Sequence, residues 1–404
     1  MSFDLFAYRK LQDTAADCED RCDQIEREMR DPKAAERFAL KQSQAFVDQM
    51  EGFALELEDE LMNFSDVSYK SFVKSESEII TLFYDKFADI PLLSRMDAVA
   101  ETFIDEIETL LNRDLPEEER IPLIEKFRKM YETMDFYVLY NRFLKKEGYQ
   151  TLPRRPLEKR KLRYEDVYPV LYLKYRLSRQ AERSNIKHLV IDEMQDYSRL
   201  QYLIIRRMFS CKMTILGDRA QTMADQQQDV LQFLPGIFGK DLRRIEMRKS
   251  YRNTVEIASY AANLIGVTDL ELFERHGMPV LERDVTDLEA ALREAVDTLF
   301  PDEKTYETAA VIVPDEKTAE RAYLILREIL AEKDFDCEKR LSWLNRDSSS
   351  FKKGLTVTTF YLAKGLEFDQ VFSIFPKDEK REMMMQAQYI AATRALHELR
   401  VYHI

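Results

Sequence analysis

Glycine is scarce in this sequence, which has nine glycines among 404 residues. Tight turns depend on left-handed backbone conformations that glycine adopts most readily, so this scarcity favours helices over a turn-rich β architecture. Hydrophobic residues make up an ordinary 45% of the chain, whereas the 33% of charged residues is high. The length is sufficient for two or three domains with a sizeable core.

Cysteine is also infrequent, and the spacing of the four cysteines does not form a disulfide or zinc framework. Cys18 and Cys22 lie one helical turn apart, but all four histidines are distant from them in the sequence. A metal site would therefore form only if the fold happened to bring these distant residues together. Free thiols in a reducing compartment are the simpler interpretation, and they favour a cytoplasmic protein.

Long apolar runs and a signal peptide are missing, so we expect a soluble protein without a membrane partner. An excess of positive charge is missing too, because the formal net charge is −13. This charge argues against a general polyanion binder. It does not exclude nucleic acid, since a local basic groove can lie on an acidic protein.

Residues 1–150 form the first predicted domain, a helical arm. They contain two glycines, and the apolar residues of one segment recur at helical spacing while acidic residues fill its other faces. These apolar residues are Phe46, Val47, Met50, Phe53, Ala54, Leu57 and Leu61. The segment 114–120 indicates a turn that leads into a new helix. We therefore predict that this domain is all-α.

Residues 151–163 interrupt the helical pattern with two prolines and six basic residues, and we interpret them as a basic linker. Two interpretations of the charge are open: a solvated connection, or a contact to phosphate or to an acidic partner. We predict that an apolar, aromatic helix begins at Tyr164 and leads to the first strand of a sheet.

From residue 186 onward, short β-branched runs alternate with helical stretches, as in an α/β fold with a parallel sheet. The predicted strands are 187–192, 212–217, 308–313, 355–360, 369–375 and 399–403. The first strand ends in Asp192 and Glu193. Ligands bind at the carboxyl ends of such strands, and in nucleotide hydrolases one carboxylate there holds Mg²⁺ while the next orients water. The alternative is a strand that runs into a solvated turn.

Further polar clusters follow along the chain. The second strand ends in Gly217 and Asp218, and the amide of Gln221 can sense a terminal phosphate. Tyr251 and Arg252 combine a ring on which a base can stack with a rigid fork of phosphate donors.

The last two clusters are a Lys364-Gly365 turn followed by Glu367, and a helix that carries Arg394. Taken singly, every cluster has an ordinary interpretation as a helix cap, a turn or a surface helix. Their occurrence together and in this order points to one site.

The segments Asp-Glu-x-Gln-Asp, Gly-Asp-x-x-Gln, Tyr-Arg, Lys-Gly-Leu-Glu-Phe and Thr-Arg-Ala resemble the motifs of superfamily 1 DNA helicases of the UvrD/Rep type. The preceding helical region and the lead-in at 162–174 are most similar to the HelD, or helicase IV, branch. The motif resemblance covers roughly residues 160–404. Residues 1–150 resemble the HelD insertion only in position and helicity.

The resemblance implies an α/β fold with RecA-like parallel sheets of the P-loop NTPase type, one partial and one complete. The implied domains are the arm 1–150, the linker 151–163, the C-terminal part of a first RecA-like domain at 164–240, and a second RecA-like domain at 241–404. ATP and Mg²⁺ are the implied cofactors. DNA and RNA polymerase are the implied partners.

The resemblance also implies roles for the residues at the first two strand ends. Asp192 would ligate Mg²⁺, and Glu193 would be the general base for the attacking water. Gln195 and Gln221 would couple the γ-phosphate to the sheet.

Five residues of the second RecA-like domain receive roles in the same way. Tyr251 would stack on the adenine, and Glu367 would touch the ribose, with Gly365 allowing close approach. Arg252 and Arg394 would be arginine fingers that complete the site when the domains close, because negative charge develops on the transferring phosphoryl group.

The sequence departs from the family in four features, one of which is spacing: the interval from Arg252 to Thr359 has room for the second RecA-like core but not for the large inserted domain of UvrD. It has no Gly-x-x-x-x-Gly-Lys-Ser/Thr, the loop that holds the β- and γ-phosphates. Thr-Met-Ala-Asp-Gln-Gln-Gln follows Gln221, where UvrD-like enzymes carry aromatic residues that stack on DNA bases at ~1–3 kcal/mol per base. Tyr361 stands where the family often has histidine.

We therefore expect the C-terminal part of an ATP-dependent helicase or translocase, beginning inside the insertion of the first RecA-like domain. This polypeptide alone is expected not to bind ATP tightly or hydrolyse it, so its status as an enzyme is open. The alternative is a non-catalytic interaction module that binds RNA polymerase or DNA without hydrolysis.

Overall fold

The computed structural model of the protein is a mixed α/β structure, as predicted, with many helices and a six-stranded parallel sheet in its second half. In the part of the chain that it describes, no helix is both long and apolar enough to cross a bilayer. The described residues are 2–179, 185–218, 221, 230–247, 249–266, 271–300, 306–333, 336–348, 353–377 and 382–404.

Helices make up most of residues 2–150, as predicted. They are α1 (Phe3–Lys10), α2 (Arg21–Arg30), α3 (Pro32–Gln42), α4 (Gln44–Glu60), α5 (Glu76–Thr81), α6 (Arg95–Leu111), α7 (Glu117–Arg128) and α8 (Phe136–Lys146). The seven apolar residues predicted to share one helix face are all buried, six within α4 and Leu61 at its C-cap. Ser43 begins α4 because its side chain accepts a hydrogen bond from the Phe46 amide.

The prediction that this region is all-α is wrong, because it also contains three short strands: β1 (Asp17–Cys18), β2 (Val67–Tyr69) and β3 (Phe72–Lys74). β2 and β3 form an antiparallel hairpin. Its tight turn contains Lys70 at a φ of 53°, a conformation usually supplied by glycine or asparagine. Without either residue, the sequence carried no hairpin signal.

The predicted linker is partly structured rather than wholly solvated. Its β4 (Lys161–Leu162) pairs in parallel with β1. Arg160 forms an ion pair with Asp135 at 2.7 Å, and its guanidinium lies 4.5 Å from the ring centre of Tyr137. Arg154 is exposed. Part of the basic charge of residues 151–163 is therefore neutralised within the chain.

A long apolar core joins the helices of the first 150 residues to the elements that follow them. At its centre lies α9 (Tyr164–Leu177), the predicted aromatic helix, which is buried on nearly all sides. The next elements are β5 (His188–Ile191), α10 (Arg199–Met208), β6 (Lys212–Ile215) and α11 (Val230–Phe238). β5 and β6 are parallel neighbours, and both were predicted.

The second half begins with β7 (Lys249–Ser250), α12 (Val255–Ile265), β8 (Glu271–Leu272), β9 (Leu281–Asp284), α13 (Leu288–Asp297), β10 (Thr308–Val313) and α14 (Glu316–Ala331). It continues with α15 (Cys337–Arg340), β11 (Leu341–Trp343), β12 (Gly354–Thr359), β13 (Phe368–Phe375), α16 (Glu382–Thr393) and β14 (Ala395–His403). The large sheet has the order β11-β12-β10-β13-β14-β9, and every pairing in it is parallel.

Both faces of the large sheet are covered, which explains why its central strand β10 reads as a nearly continuous apolar run. Along β10, Ala310 and Ile312 face the core that contains α12 and α16. Ala309, Val311 and Val313 face the opposite core, with α13 and α14. The four strands predicted here are present, whereas the edge strands β9 and β11 were not predicted.

Candidate functional site

The end of β5 forms a sharp turn that carries two carboxylates. Asp192 is exposed, and its Oδ1 accepts a hydrogen bond from the Glu193 amide at 2.9 Å. Glu193 itself has a φ of 52°, a left-handed conformation that is uncommon for residues other than glycine. This turn leads into a short 3-10 helix, Met194–Asp196.

Gly217, just after β6, is packed tightly against the turn that follows β5. A Cβ at this position would lie 2.4 Å from Met194 Cγ, 2.5 Å from Gln195 Oε1 and 2.6 Å from the Met194 nitrogen. Only glycine fits here, in agreement with the predicted close backbone approach. The two strand ends are thereby brought side by side.

Gln195 joins these two strand ends through its side-chain amide. It is 2% exposed, donates to Glu193 Oε2 at 2.6 Å and accepts from the Asp218 amide at 3.1 Å. Gln221 in turn donates to Asp218 Oδ2 at 2.9 Å. The predicted residues Glu193, Gln195 and Gln221 therefore lie in one hydrogen-bonded group, with Asp192 next to it.

Arg394 reaches this group from the second half of the chain. It follows α16, is 1% exposed, and donates from Nη2 to Gln221 Oε1 at 2.9 Å. Burial lowers the pKa of Arg394, and the nearby positive charge of Arg252 acts in the same direction. Two backbone carbonyls also accept from Arg394: that of Ile390 from Nε at 3.2 Å and that of Leu366 from Nη1 at 3.4 Å. A buried arginine therefore bridges the two halves of the chain, and we call their junction at Gln221 and Arg394 the cleft.

Lys364 crosses the same cleft, a contact that our sequence analysis did not predict. Its Nζ lies 2.7 Å from both carboxylate oxygens of Asp196 and 3.4 Å from Glu193 Oε2. The Lys364 side chain is 7% exposed. Burial raises the pKa of the Asp196 carboxyl, and the positive charge of Lys364 opposes this shift. Both residues belong to segments that we had singled out, but no local pattern predicted their pairing.

The remaining predicted residues belong to the second half of the chain. Arg252 Nε pairs with Glu367 Oε1 at 2.6 Å, and both side chains are nearly half exposed. Gly365 has a φ of 82°, which accounts for glycine at that turn. Tyr251 is 61% exposed and packs against Phe273, with ring centres 5.5 Å apart.

Tyr389, on α16, was not predicted as a site residue. Its hydroxyl bonds to the Asp218 side chain, and its pKa is raised by burial and by the Asp218 charge. It adds a further contact between α16 and the end of β6. A tyrosine two residues before Ala-Ala-Thr-Arg has no spacing that distinguishes it from a core residue.

The arrangement places carboxylates on one side of a cleft and arginines on the other. Within the described residues, no group of three or more carboxylate, histidine or cysteine side chains could hold a metal ion. Mg²⁺ does not require three or more protein side chains when it binds through one or two carboxylates together with phosphates. The exposed carboxylate of Asp192 fits that mode, so the geometry suits phosphate chemistry that is completed by arginines.

Comparison with known families identifies the class of this protein. A model of the UvrD/REP helicase N-terminal domain matches residues 2–223, more than half of the chain. The protein is therefore a helicase-family protein. It belongs to the UvrD/REP helicase N-terminal domain family.

No curated protein matches the chain. Among solved structures, the C-terminal domain of a possible DNA helicase from Lactobacillus plantarum WCFS1 is 23% identical, with a TM-score of 0.30; the match covers 38% of this chain and 88% of that one. The helicase of PRRSV is 14% identical, with a TM-score of 0.32 and coverage of 66% and 45%. An arterivirus helicase in complex with DNA is 14% identical, with a TM-score of 0.30 and coverage of 66% and 51%.

The chain thus spans about half the length of the two viral helicases that it matches. Likeness at these TM-scores establishes no shared mechanism. The segment Thr-Met-Ala-Asp-Gln-Gln-Gln after Gln221, where base-stacking residues were sought, lies outside the described residues.

Proposed function

We propose that the chain is part of an ATP-dependent superfamily 1 DNA helicase or translocase, with its nucleotide site in the cleft between β5–β6 and α16. The observation that carries this proposal is the 2.9 Å hydrogen bond from Arg394 to Gln221 across the cleft. Arg394 and Gln221 come from different halves of the chain. A nucleotide site that is completed when two domains close needs an arginine from one domain next to a phosphate-sensing amide from the other.

On the β5–β6 side of the cleft, Asp192 would ligate Mg²⁺ and Glu193 would take the proton of the attacking water. Gln195 and Gln221 would report the state of the γ-phosphate, and their hydrogen bonds to the strand ends support this role. Mg²⁺ supplies charge neutralisation at the phosphates when it is bound.

On the opposite side, Arg252 and Arg394 would stabilise the charge on the transferring phosphoryl group. Tyr251 is exposed, which leaves its ring available to stack on the adenine. Glu367 would touch the ribose beside the Gly365 turn. Its ion pair with Arg252 must then open when nucleotide enters.

We further propose that this polypeptide alone does not hydrolyse ATP. Its 404 residues hold no Gly-x-x-x-x-Gly-Lys-Ser/Thr loop. The charged groups nearest the cleft also bond to one another: Lys364 to Asp196, and Arg252 to Glu367. A nucleotide that enters the site must displace these contacts. Because the chain has no phosphate-binding loop to donate hydrogen bonds, few new contacts to the phosphates would replace them.

The test is ATP hydrolysis by the full chain, with and without single-stranded DNA, beside a Glu193→Gln control. Circular dichroism would verify that both proteins are folded. We expect the wild type to show no more activity than the control under either condition. Hydrolysis that disappears in the control would overturn the proposed inactivity and would mean that other groups hold the phosphates.

The second candidate is a non-catalytic module of the HelD type that binds RNA polymerase. Its support is the distribution of charge: residues 1–150 carry 34 acidic and 20 basic side chains, whereas residues 151–404 carry 40 and 41. The net charge is therefore −14 for residues 1–150 and +1 for the rest, so the helical region carries the whole net negative charge. A region of this charge is suited to bind a basic nucleic-acid channel on a partner.

A pull-down of RNA polymerase by the full chain, repeated at increasing salt, would test this candidate. Capture that weakens steadily with salt is expected, because exposed charges are screened. Absence of capture at low salt, together with binding of single-stranded DNA in an anisotropy assay, would favour the helicase proposal over the module.

A further inference from the structure

Helix α2 belongs in sequence to the helical region, yet it packs on the second half of the chain. Ile25 is 1% exposed and lies in the core formed by α12, α16 and one face of the large sheet. On its other side, Arg21 pairs with Glu28 at 3.1 Å and lies over the rings of Phe38 and Tyr164. The helix is therefore anchored in both halves.

The carboxylate of Glu26 is the main polar contact between α2 and the second half. Glu26 is 9% exposed, and its Oε1 accepts from the Tyr361 hydroxyl at 2.7 Å and from the Glu316 amide at 3.1 Å. Its Oε2 pairs with Arg30 at 2.7 Å. Arg346 adds ion pairs to Asp23 and Glu316 beside this group. A buried carboxylate with this many partners is held in one position.

Tyr361 is the second residue of the connection between β12 and β13, residues 360–367, which we call the 360–367 loop. The same loop carries Lys364, which pairs with Asp196, and Glu367, which pairs with Arg252. Tyr361 and Lys364 are three residues apart, and the amide of Ala363 between them bonds to the Thr359 carbonyl at 2.9 Å. Fixing the Tyr361 hydroxyl therefore restricts where Lys364 can lie.

We propose that Tyr361 is a positioning residue: its hydrogen bond to Glu26 lets helix α2 set the 360–367 loop and thereby place Lys364 against Asp196 and Glu193. This role explains why tyrosine stands at this position, because a histidine ring is shorter than a phenol and would not extend a hydroxyl to Glu26. The importance of Lys364 for nucleotide chemistry rests on the proposed function, but the positioning contact does not.

Hydrogen exchange of the full chain without nucleotide tests the contact. Tyr361→Phe removes the hydroxyl and keeps the ring that packs edge-on against Phe360. Exchange at the amides of Ala363 and Leu366 should rise about tenfold or more, the change expected when a hydrogen bond to a charged acceptor is lost. Tyr260→Phe is the matched control, since its hydroxyl bonds to Glu282 at 3.3 Å, away from the loop.

The rate at which Lys364 is acylated, followed by mass spectrometry, provides a second test. This rate should not change if Tyr361 contributes only to the stability of the fold. The Lys364 side chain is 7% exposed, so release of the loop should raise its reaction rate several-fold in Tyr361→Phe. Glu26→Ala should also raise the rate, because it removes the acceptor of the Tyr361 hydroxyl together with the contacts to the Glu316 amide and Arg30. The double variant should react no faster than Glu26→Ala alone, because the contact between Tyr361 and Glu26 is already absent in that single variant.

Glu26→Gln keeps an acceptor oxygen and should largely restore the wild-type rates. The proposal is overturned if Tyr361→Phe leaves Ala363 exchange and Lys364 acylation unchanged, or if the effects of Tyr361→Phe and Glu26→Ala simply add. Since neither measurement uses nucleotide, these outcomes are separate from the result of the hydrolysis assay.

Discussion

Gly217→Ala should destabilise the protein by pushing apart the two strand ends that form the site. The added methyl group would lie 2.4 Å from Met194 Cγ and 2.6 Å from the Met194 nitrogen. Ordinary carbon contacts are about 3.5–4.0 Å, so the backbone of Met194 must move. Because Gln195 Oε1 would lie 2.5 Å away, its hydrogen bond from the Asp218 amide is expected to break as well.

Overpacking of this kind typically costs about 1–3 kcal/mol. The lost hydrogen bond adds about 1 kcal/mol. We therefore expect the free energy of unfolding to fall by about 2–4 kcal/mol in a urea titration followed by circular dichroism.

Gly52→Ala is the matched control, because Gly52 lies inside α4, is exposed, and has no atom within 4 Å of the added Cβ. It should stabilise the protein by about 0.5–1 kcal/mol, since alanine has the higher helix propensity. A Gly217→Ala variant as stable as the wild type, or a shift of stability in the same direction in both variants, would contradict this prediction.

Three further predictions concern the framework around the site. Phe46 is fully buried against the edge of Phe143, so Phe46→Ala should lower the unfolding free energy by about 3–5 kcal/mol; a loss below about 1 kcal/mol in urea would contradict the packing. Asn112 ends α6 at a φ of 50°, so Asn112→Gly should raise the melting temperature and Asn112→Ala should lower it; the opposite order would refute the left-handed cap. Backbone amides and His276 lower the pKa of Glu256 to about 2 from its ordinary 4.5. The contribution of the Glu256 carboxylate to the free energy of unfolding is thus present above pH 4.5 and is lost as pH falls towards 2. Glu256→Gln should therefore make the free energy of unfolding fall less steeply between these pH values. The same pH dependence in the variant and the wild type would contradict the lowered pKa of Glu256.

The parallel strands could be predicted because they are buried on both faces. β10 reads Thr-Ala-Ala-Val-Ile-Val, and five of its six residues are buried. β9 reads Leu-Glu-Arg-Asp and lies at the edge of the sheet with three exposed residues, so its sequence does not differ from that of a loop. Burial leaves a pattern in the sequence, whereas pairing at an edge through backbone hydrogen bonds does not.

The site shows the same division between local pattern and tertiary contact. The turn after β5 and the glycine after β6 are local features, and they were predicted from Asp192, Glu193 and Gly217. The pairing of Lys364 with Asp196 joins residues 168 positions apart, and that of Tyr361 with Glu26 joins residues 335 positions apart. One sequence contains no periodicity that relates such residues, so these contacts could only be found in the folded chain.

Under the proposed function, this chain holds the carboxylates and arginines of an ATP site but lacks the loop that binds the β- and γ-phosphates. Titration calorimetry of Mg·ATP with the full chain tests it most directly. We expect no saturable binding tighter than about 1 mM, which corresponds to about 4 kcal/mol of binding free energy. A micromolar dissociation constant that is lost in Arg394→Gln would contradict the claim and would show that the cleft binds nucleotide unaided.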